Sequence, residues 1–245
     1  KNLSSVVSIA QIVGHFILMF GVILVTAQDL GSALVYFFIF AVMLFVAGVK
    51  LYWFIMGAAA IAGMIPILWT YFLEDYQRNR ILAPYDPSID PTNQGINWQP
   101  HQAKIAIASG GLTGTGLGEG TQSQSNAIPG KHTDFIFAVV GEELGLIGAC
   151  LVILLLMIIV IRCVQIGLRS GNTMSMLVCF GVASTVVFQT FENIGMCIGI
   201  APVVGITLPF FSYGGSSLFS MFAAMGLVSG IKYRPKPTRA AIYGR

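Results

Sequence analysis

Apolar and polar positions divide this chain into six long apolar runs separated by short polar breaks and one long polar stretch. The runs cover residues 5–26, 30–49, 51–73, 135–161, 173–200 and 207–231. Each is near the ~20 residues that carry a helix across about 30 Å of hydrocarbon. They lack the two-residue alternation of an outer-membrane barrel strand, so they predict helices. The second and third are joined only by a tight hairpin at Gly48-Val49-Lys50. The expected fold is all-α, a polytopic transmembrane helix bundle of six spans with one long extracytoplasmic loop. It divides into three spans (1–73), the loop with an interfacial helix (74–133), three further spans (134–231) and a basic tail (232–245).

Composition agrees with a membrane bundle. Hydrophobic residues make up 56% of the chain and charged residues only 9%, where a water-soluble domain carries roughly a quarter charged residues. Of the 13 Lys and Arg residues, Lys1, Lys50, Arg162, Arg169, Lys232, Arg234, Lys236, Arg239 and Arg245 fall on one side of the drawn topology, and no acid joins them. The positive-inside rule makes that side cytoplasmic, with the carboxyl terminus inside and the loop outside. The net charge of +3 reflects this bias, and no aromatic-basic interleaving points to nucleic acid. Cys150, Cys163, Cys179 and Cys197 lie in or beside spans without zinc or disulfide spacing, and read as structural thiols. The first span carries Gln11 and His15 and no small-residue cleavage motif, so it reads as a span rather than a cleaved signal. The chain starts Lys1-Asn2, so a longer protein is expected.

The 60 residues of 74–133 are too many for mere linkage, and loops of that length commonly carry function. The first half is rich in Pro, Asp and Asn and reads as irregular. In the second, residues 101–108 have amphipathic helical spacing and end at Ser109-Gly110-Gly111, as a helix should. An interfacial or re-entrant helix there sets Lys104 near headgroup level. The glycine-rich run after it has no phosphate-loop signature. It reads as a loop that tolerates close backbone approach, with diphosphate contact as the alternative.

The densest chemistry is His132-Thr133-Asp134-Phe135-Ile136-Phe137, followed by Gly141-Glu142-Glu143-Leu144-Gly145. Acids at the mouth of a span are costly to desolvate and are functional-site candidates by default. If a helix starts at Asp134, Glu142 lies about 80° round from it and Glu143 near the opposite side. Asp134 and Glu142 then share a cavity. A carboxylate partly withdrawn from water has a raised pKa and makes a better general base near neutrality. The alternative, an Asp that merely caps a helix N-terminus, stands equally open. Glu192-Asn193 in the fifth span is either packing or a substrate contact. Pro209 through Ser217 predicts a broken helix end lining a cavity, with close packing of small residues as the alternative. His15 and Asp29 read as internal polar contacts.

Several of these segments together resemble the SEDS family (shape, elongation, division and sporulation). They are 102–107, 109–112, 120–124, 132–137, 142–145, 193–196 and 208–217, and 28–34 resembles a family motif that has an additional proline. Residues 120–124, Lys104 and 202–205 are more like the elongation branch, and 207–209 the division branch. The resemblance implies a peptidoglycan glycosyltransferase that polymerises lipid II on the outer face of the bacterial cytoplasmic membrane, and the six spans match the last six of a larger family fold. It implies Asp134 as the catalytic base, and substrate contacts at Gln102, Lys104, Thr133, Glu142 and Ser216. It also implies a class B penicillin-binding protein as partner, alongside other elongation or division machinery. A divalent cation such as Mg or Mn is a further expectation, with its ligands unknown. A flippase of lipid-linked precursors and a non-catalytic scaffold are the competing classes.

Overall fold

The computed structural model describes residues 4–27, 29–125 and 127–233. The expected basic tail beyond Tyr233, Lys1 and Gln28 lie outside the described residues. Among the described residues the structure is all helical, with no strand.

Helix α1, Val6–Val22, is N-capped by the Ser5 hydroxyl and runs into a π-helical turn, Ile23–Ala27. Helix α2, Leu30–Val46, starts at Asp29, whose carboxylate accepts from the Ser32 N–H (3.1 Å) and hydroxyl. Asp29 is thus a helix cap, in keeping with the polar contact expected of it. Helix α3, Leu51–Ile67, carries Pro66 and passes into a second π-helical turn, Leu68–Phe72. Two short helices follow in the long connection, α4 (Asp75–Leu82) and α5 (Trp98–Gly110). A single turn, α6 (Thr121–Gln124), precedes α7 (Ile136–Glu143), α8 (Gly145–Arg169), α9 (Thr173–Ile198) and α10 (Gly215–Tyr233).

Four stretches, Val6–Thr26, Leu51–Tyr71, Gly145–Arg169 and Thr173–Ile198, are long and apolar enough to cross a membrane, and Leu30–Val46 is a shorter apolar helix. The protein is a polytopic helical membrane protein.

Two spans differ from their expected form. The run 135–161 is not one helix but α7 and α8, broken at Leu144-Gly145, where Gly145 takes φ +67°. A side chain at that φ is strained. The last expected span gives α10, which is not among the four long apolar stretches and begins at Gly215 rather than 207, because residues 208–213 form a turn around Pro209 and Phe210, with Phe210 at φ +64°. The broken helix end expected there is present.

Helices α8 and α9 pack so closely that a Cβ on Gly167 would lie 2.9 Å from the Cys179 Cβ. Small residues at such a crossing let backbones approach, which is how helices associate without water to drive them together. At the end of the bundle that carries the long connection, Phe135 (1% exposed), Phe137 and Ala138 pack with Ala103 and Ala106 of α5 and Leu208. That packed floor carries the candidate site.

Candidate active site

Asp134 lies in the turn leading to α7 and outside any helix. Phe135 occupies the N-cap position of α7 and no side chain caps that helix. The capping alternative for Asp134 is therefore removed.

Three consecutive carbonyls hold this strand of chain in place. The Tyr213 N–H donates to the His132 carbonyl at 2.8 Å. The Ser212 hydroxyl donates to the Thr133 carbonyl at 2.6 Å, and itself accepts from the Leu208 N–H at 2.7 Å. The Asn193 side-chain amide donates to the Asp134 carbonyl at 2.7 Å and to the Ile206 carbonyl at 2.8 Å. Asn193 is fully buried on α9, so these bonds form where water does not compete. Residues 132–134 are thus tied through their main-chain carbonyls to α9 and to the 206–213 segment.

The Asp134 carboxylate is left free of that framework. It is half-buried, and a Cβ on Gly205 would sit 3.6 Å from its Oδ2. Burial pushes its pKa above the ordinary 3.8, opposed by hydrogen bonding from Thr133 and by the positive charge of Arg80. A carboxylate raised toward neutrality and still reachable is suited to accept a proton.

Glu142 does not share that setting. It is fully buried and accepts from the Gln122 N–H (2.8 Å) and Ser123 N–H (2.7 Å) at the start of α6, with the Thr121 hydroxyl at 3.3 Å. Glu143, expected on the opposite side, joins the same loop through the Gly118 N–H (3.0 Å) and the Ser123 hydroxyl (2.8 Å). Burial raises the Glu143 pKa, but these bonds, Gln124 and the charge of Lys131 outweigh it and leave the pKa lowered. Asp134 and Glu142 do not share a helix face, because Asp134 is not helical and α7 ends at Glu143.

The glycine-rich loop splints that break. The Thr115 and Gly116 N–H groups donate to the Glu142 and Glu143 carbonyls, at 3.0 and 3.2 Å. The Leu146 and Ile147 N–H groups, at the start of α8, donate to the Gly111 and Leu112 carbonyls, at 2.9 and 3.2 Å. Backbone groups orphaned by the break are satisfied by the loop. Close backbone approach, the simpler of the two readings of these glycines, accounts for them.

Lys104 is exposed on α5 and crosses the carboxyl end of α9, where its Cε and Nζ occupy the space that a Cβ on Gly199 would need. The loop from Gly199 leads to Gly205 beside Asp134, so Lys104 and Asp134 flank one short segment. Gln102 lies on the buried face of α5. Ser216 is exposed in the first turn of α10, its carbonyl accepting from the Ser220 hydroxyl at 2.8 Å. Thr133 lies next to Asp134 and lines a cleft with Tyr213. Arg80, whose charge acts on Asp134, was not among the expected site residues, and a cation just after the third span was its only signal. Asn193, expected as packing or a substrate contact, instead holds the Asp134 carbonyl. Among the described residues, no three His, Cys, Asp or Glu side chains gather to hold a metal ion.

The fold and this acid-bearing end define a multi-pass helical membrane protein with a candidate catalytic carboxylate. Residues 2–236 match the model of the FtsW/RodA/SpoVE family, described as cell cycle protein, and the chain belongs to that family. It is 42% identical over 212 residues to the peptidoglycan glycosyltransferase MrdB of Escherichia coli (strain K12), covering 85% of this chain and 56% of that protein. It is 40% identical over 217 residues to the probable peptidoglycan glycosyltransferase FtsW of Geobacter metallireducens, covering 88% and 56%. The chain thus spans little more than half the length of these relatives. A chain of a peptidoglycan synthase complex that coordinates polymerization and crosslinking superposes with TM-score 0.76 at 30% identity, over 96% of this chain and 65% of that one. The rod shape determining protein RodA of Thermus thermophilus, in an Asp-to-Ala mutant form, gives TM-score 0.59 at 27% identity, over 92% and 58%.

Proposed function

We propose that the protein to which this chain belongs polymerises lipid II into glycan strands, with Asp134 as general base. The observation that carries this reading is the half-buried carboxylate of Asp134, free of the backbone ties that fix residues 132–134. In the reaction the 4-hydroxyl of one lipid-linked disaccharide gives its proton to the Asp134 carboxylate. Its oxygen bonds to the anomeric carbon of a second molecule, and the bond from that carbon to polyprenyl diphosphate breaks with inversion. The electron pair leaves with the diphosphate. Positioned proton transfer contributes roughly 10²–10⁴-fold. Lys104, beside the loop 199–205, and Arg80 stabilise the departing anion. The described residues gather no ligand set for a divalent cation, and no step of the reaction is assigned to one.

Gln102, from the inner face of α5, and Ser216, from α10, contact the substrate. Glu142 holds the loop beside the site. The carboxyl terminus is cytoplasmic and the 74–133 connection is outside the cell membrane, as the distribution of basic residues supports. A class B penicillin-binding protein crosslinks the product, in line with the synthase complex that the chain is similar to. The elongation branch is favoured by the similarity to MrdB and RodA. A flippase would need polar groups along the depth of the bundle, and the acids here gather at one end.

The test is the full-length protein and its partner in vesicles with purified lipid II. Glycan strands are the expected product, and translocated lipid II without polymer would overturn the reading.

A further inference from the structure

An open cleft of about 520 Å³ is lined by residues 128–133 and Tyr213, and so reaches as far as the chain neighbour of Asp134. We propose that this cleft is the binding site of the acceptor saccharide, a β-1,4-linked N-acetylated disaccharide, a reading that rests on the proposed polymerase activity.

Its chemistry suits a sugar rather than a lipid tail or a diphosphate. The Tyr213 side chain is 79% exposed and gives an aromatic face on which a sugar ring can stack. Pro129, exposed at the rim, supplies apolar surface for the same ring, over the buried Ile128 that packs behind it. Lys131 already donates from Nζ to the carbonyls of Ser123 and Ser125, which leaves one of its three N–H donors for an acetamido carbonyl. Its charge is also shared with Glu143, so it is a poor diphosphate anchor. The volume falls within the range of small-ligand pockets, about 300–1,000 Å³.

Position assigns the cleft to the acceptor. Thr133 lines it and is bonded to Asp134, the group that takes the acceptor proton. Lys104, which faces the leaving group, lies instead across the Gly199–Gly205 loop. The cleft walls are also pinned together: Tyr213 N–H to His132 carbonyl and Ser212 hydroxyl to Thr133 carbonyl. A sugar held between them is therefore fixed relative to the base.

Two measurements on the full-length protein test this. Soluble chitotetraose serves as the binding probe, and Tyr213→Ala is expected to weaken it about tenfold, as loss of one stacked ring does. Tyr213→Phe, which keeps the ring, should bind as wild type. The Tyr213 backbone bond survives both changes. In the second measurement the donor is lipid II blocked at its 4-hydroxyl, with unblocked acceptor varied. Tyr213→Ala should raise KM for the acceptor and leave that for the blocked donor unchanged. A rise for the donor alone, or chitotetraose binding equal in all three proteins, would overturn the assignment. Asp134→Asn should still bind chitotetraose. If that variant also polymerised normally, the polymerase mechanism would fail while the cleft assignment stood on its binding data.

Discussion

The buried amide of Asn193 and the main chain of Asp134 are joined by a 2.7 Å hydrogen bond, and the same amide nitrogen reaches the Ile206 carbonyl at 2.8 Å. One side chain on α9 thereby sets the turn that carries Asp134 against the loop that faces it. Asn193→Leu removes both bonds and leaves two carbonyls unpaired. Its own Oδ1 is buried without a hydrogen-bond partner, so leucine also removes a penalty. The expected net loss of stability is about 1 kcal/mol. Activity is expected to fall further, about 10²-fold, because small misplacements of a catalytic group are that costly. Thermal unfolding and the turnover rate, measured on one preparation, separate the two effects. Equal, small losses in both would remove the positioning role.

Glu142 gives the opposite pattern. Its carboxylate accepts two main-chain N–H bonds at 0% exposure, and charge-assisted bonds of this kind contribute about 1.5–3 kcal/mol each. Glu142→Gln turns an N–H donor toward the N–H groups of Gln122 or Ser123. A markedly lower unfolding temperature and poor yield are expected. A well-folded but inactive variant would instead make Glu142 a substrate contact.

Gly199 has φ +75° and its missing side chain leaves room for Lys104. Gly199→Ala both strains the backbone, by about 1 kcal/mol, and displaces the Lys104 ammonium. Combined with Lys104→Ala, the losses of activity should be less than additive, since both act through one charge. Additive losses in a double-mutant cycle would separate the two residues.

The raised pKa of Asp134 has a sign that can be checked twice. As a base it must be ionised, so the acid limb of kcat/KM should fall above the ordinary carboxylate value of 3.8. For stability, an acid whose folded pKa is raised favours the fold below its unfolded pKa and loses that contribution as pH rises through the folded value. Asp134→Asn should therefore unfold at a temperature equal to or above that of wild type near pH 7, with the wild type gaining on it toward about pH 4. A variant clearly less stable at neutral pH would show that the ionised carboxylate supports the fold.

Much of the bundle was legible because apolar length is a strong signal. The α5 helix also appeared in sequence, from its spacing and its terminal Gly110-Gly111. The break at Leu144-Gly145 did not, since a glycine inside an apolar run looks like any other small packing residue. Only the loop at 111–116, distant in sequence, supplies the groups that satisfy a broken helix there. A continuous helix from Asp134 would place Glu142 beside it, whereas the folded chain gives Glu142 to α6. Asp134 itself was visible from its motif. Asn193, which holds it, depends on a contact 59 residues away and on burial that one sequence does not display.

The central claim is that Asp134 takes the acceptor proton. The most direct measurement compares wild type with Asp134→Asn in the full-length protein, reconstituted with its transpeptidase partner and purified lipid II, for glycan chains resolved on a gel. The account predicts a loss of polymer of about 10²-fold or more, with thermal stability undiminished. Polymer formed at the wild-type rate by the Asn variant would contradict it.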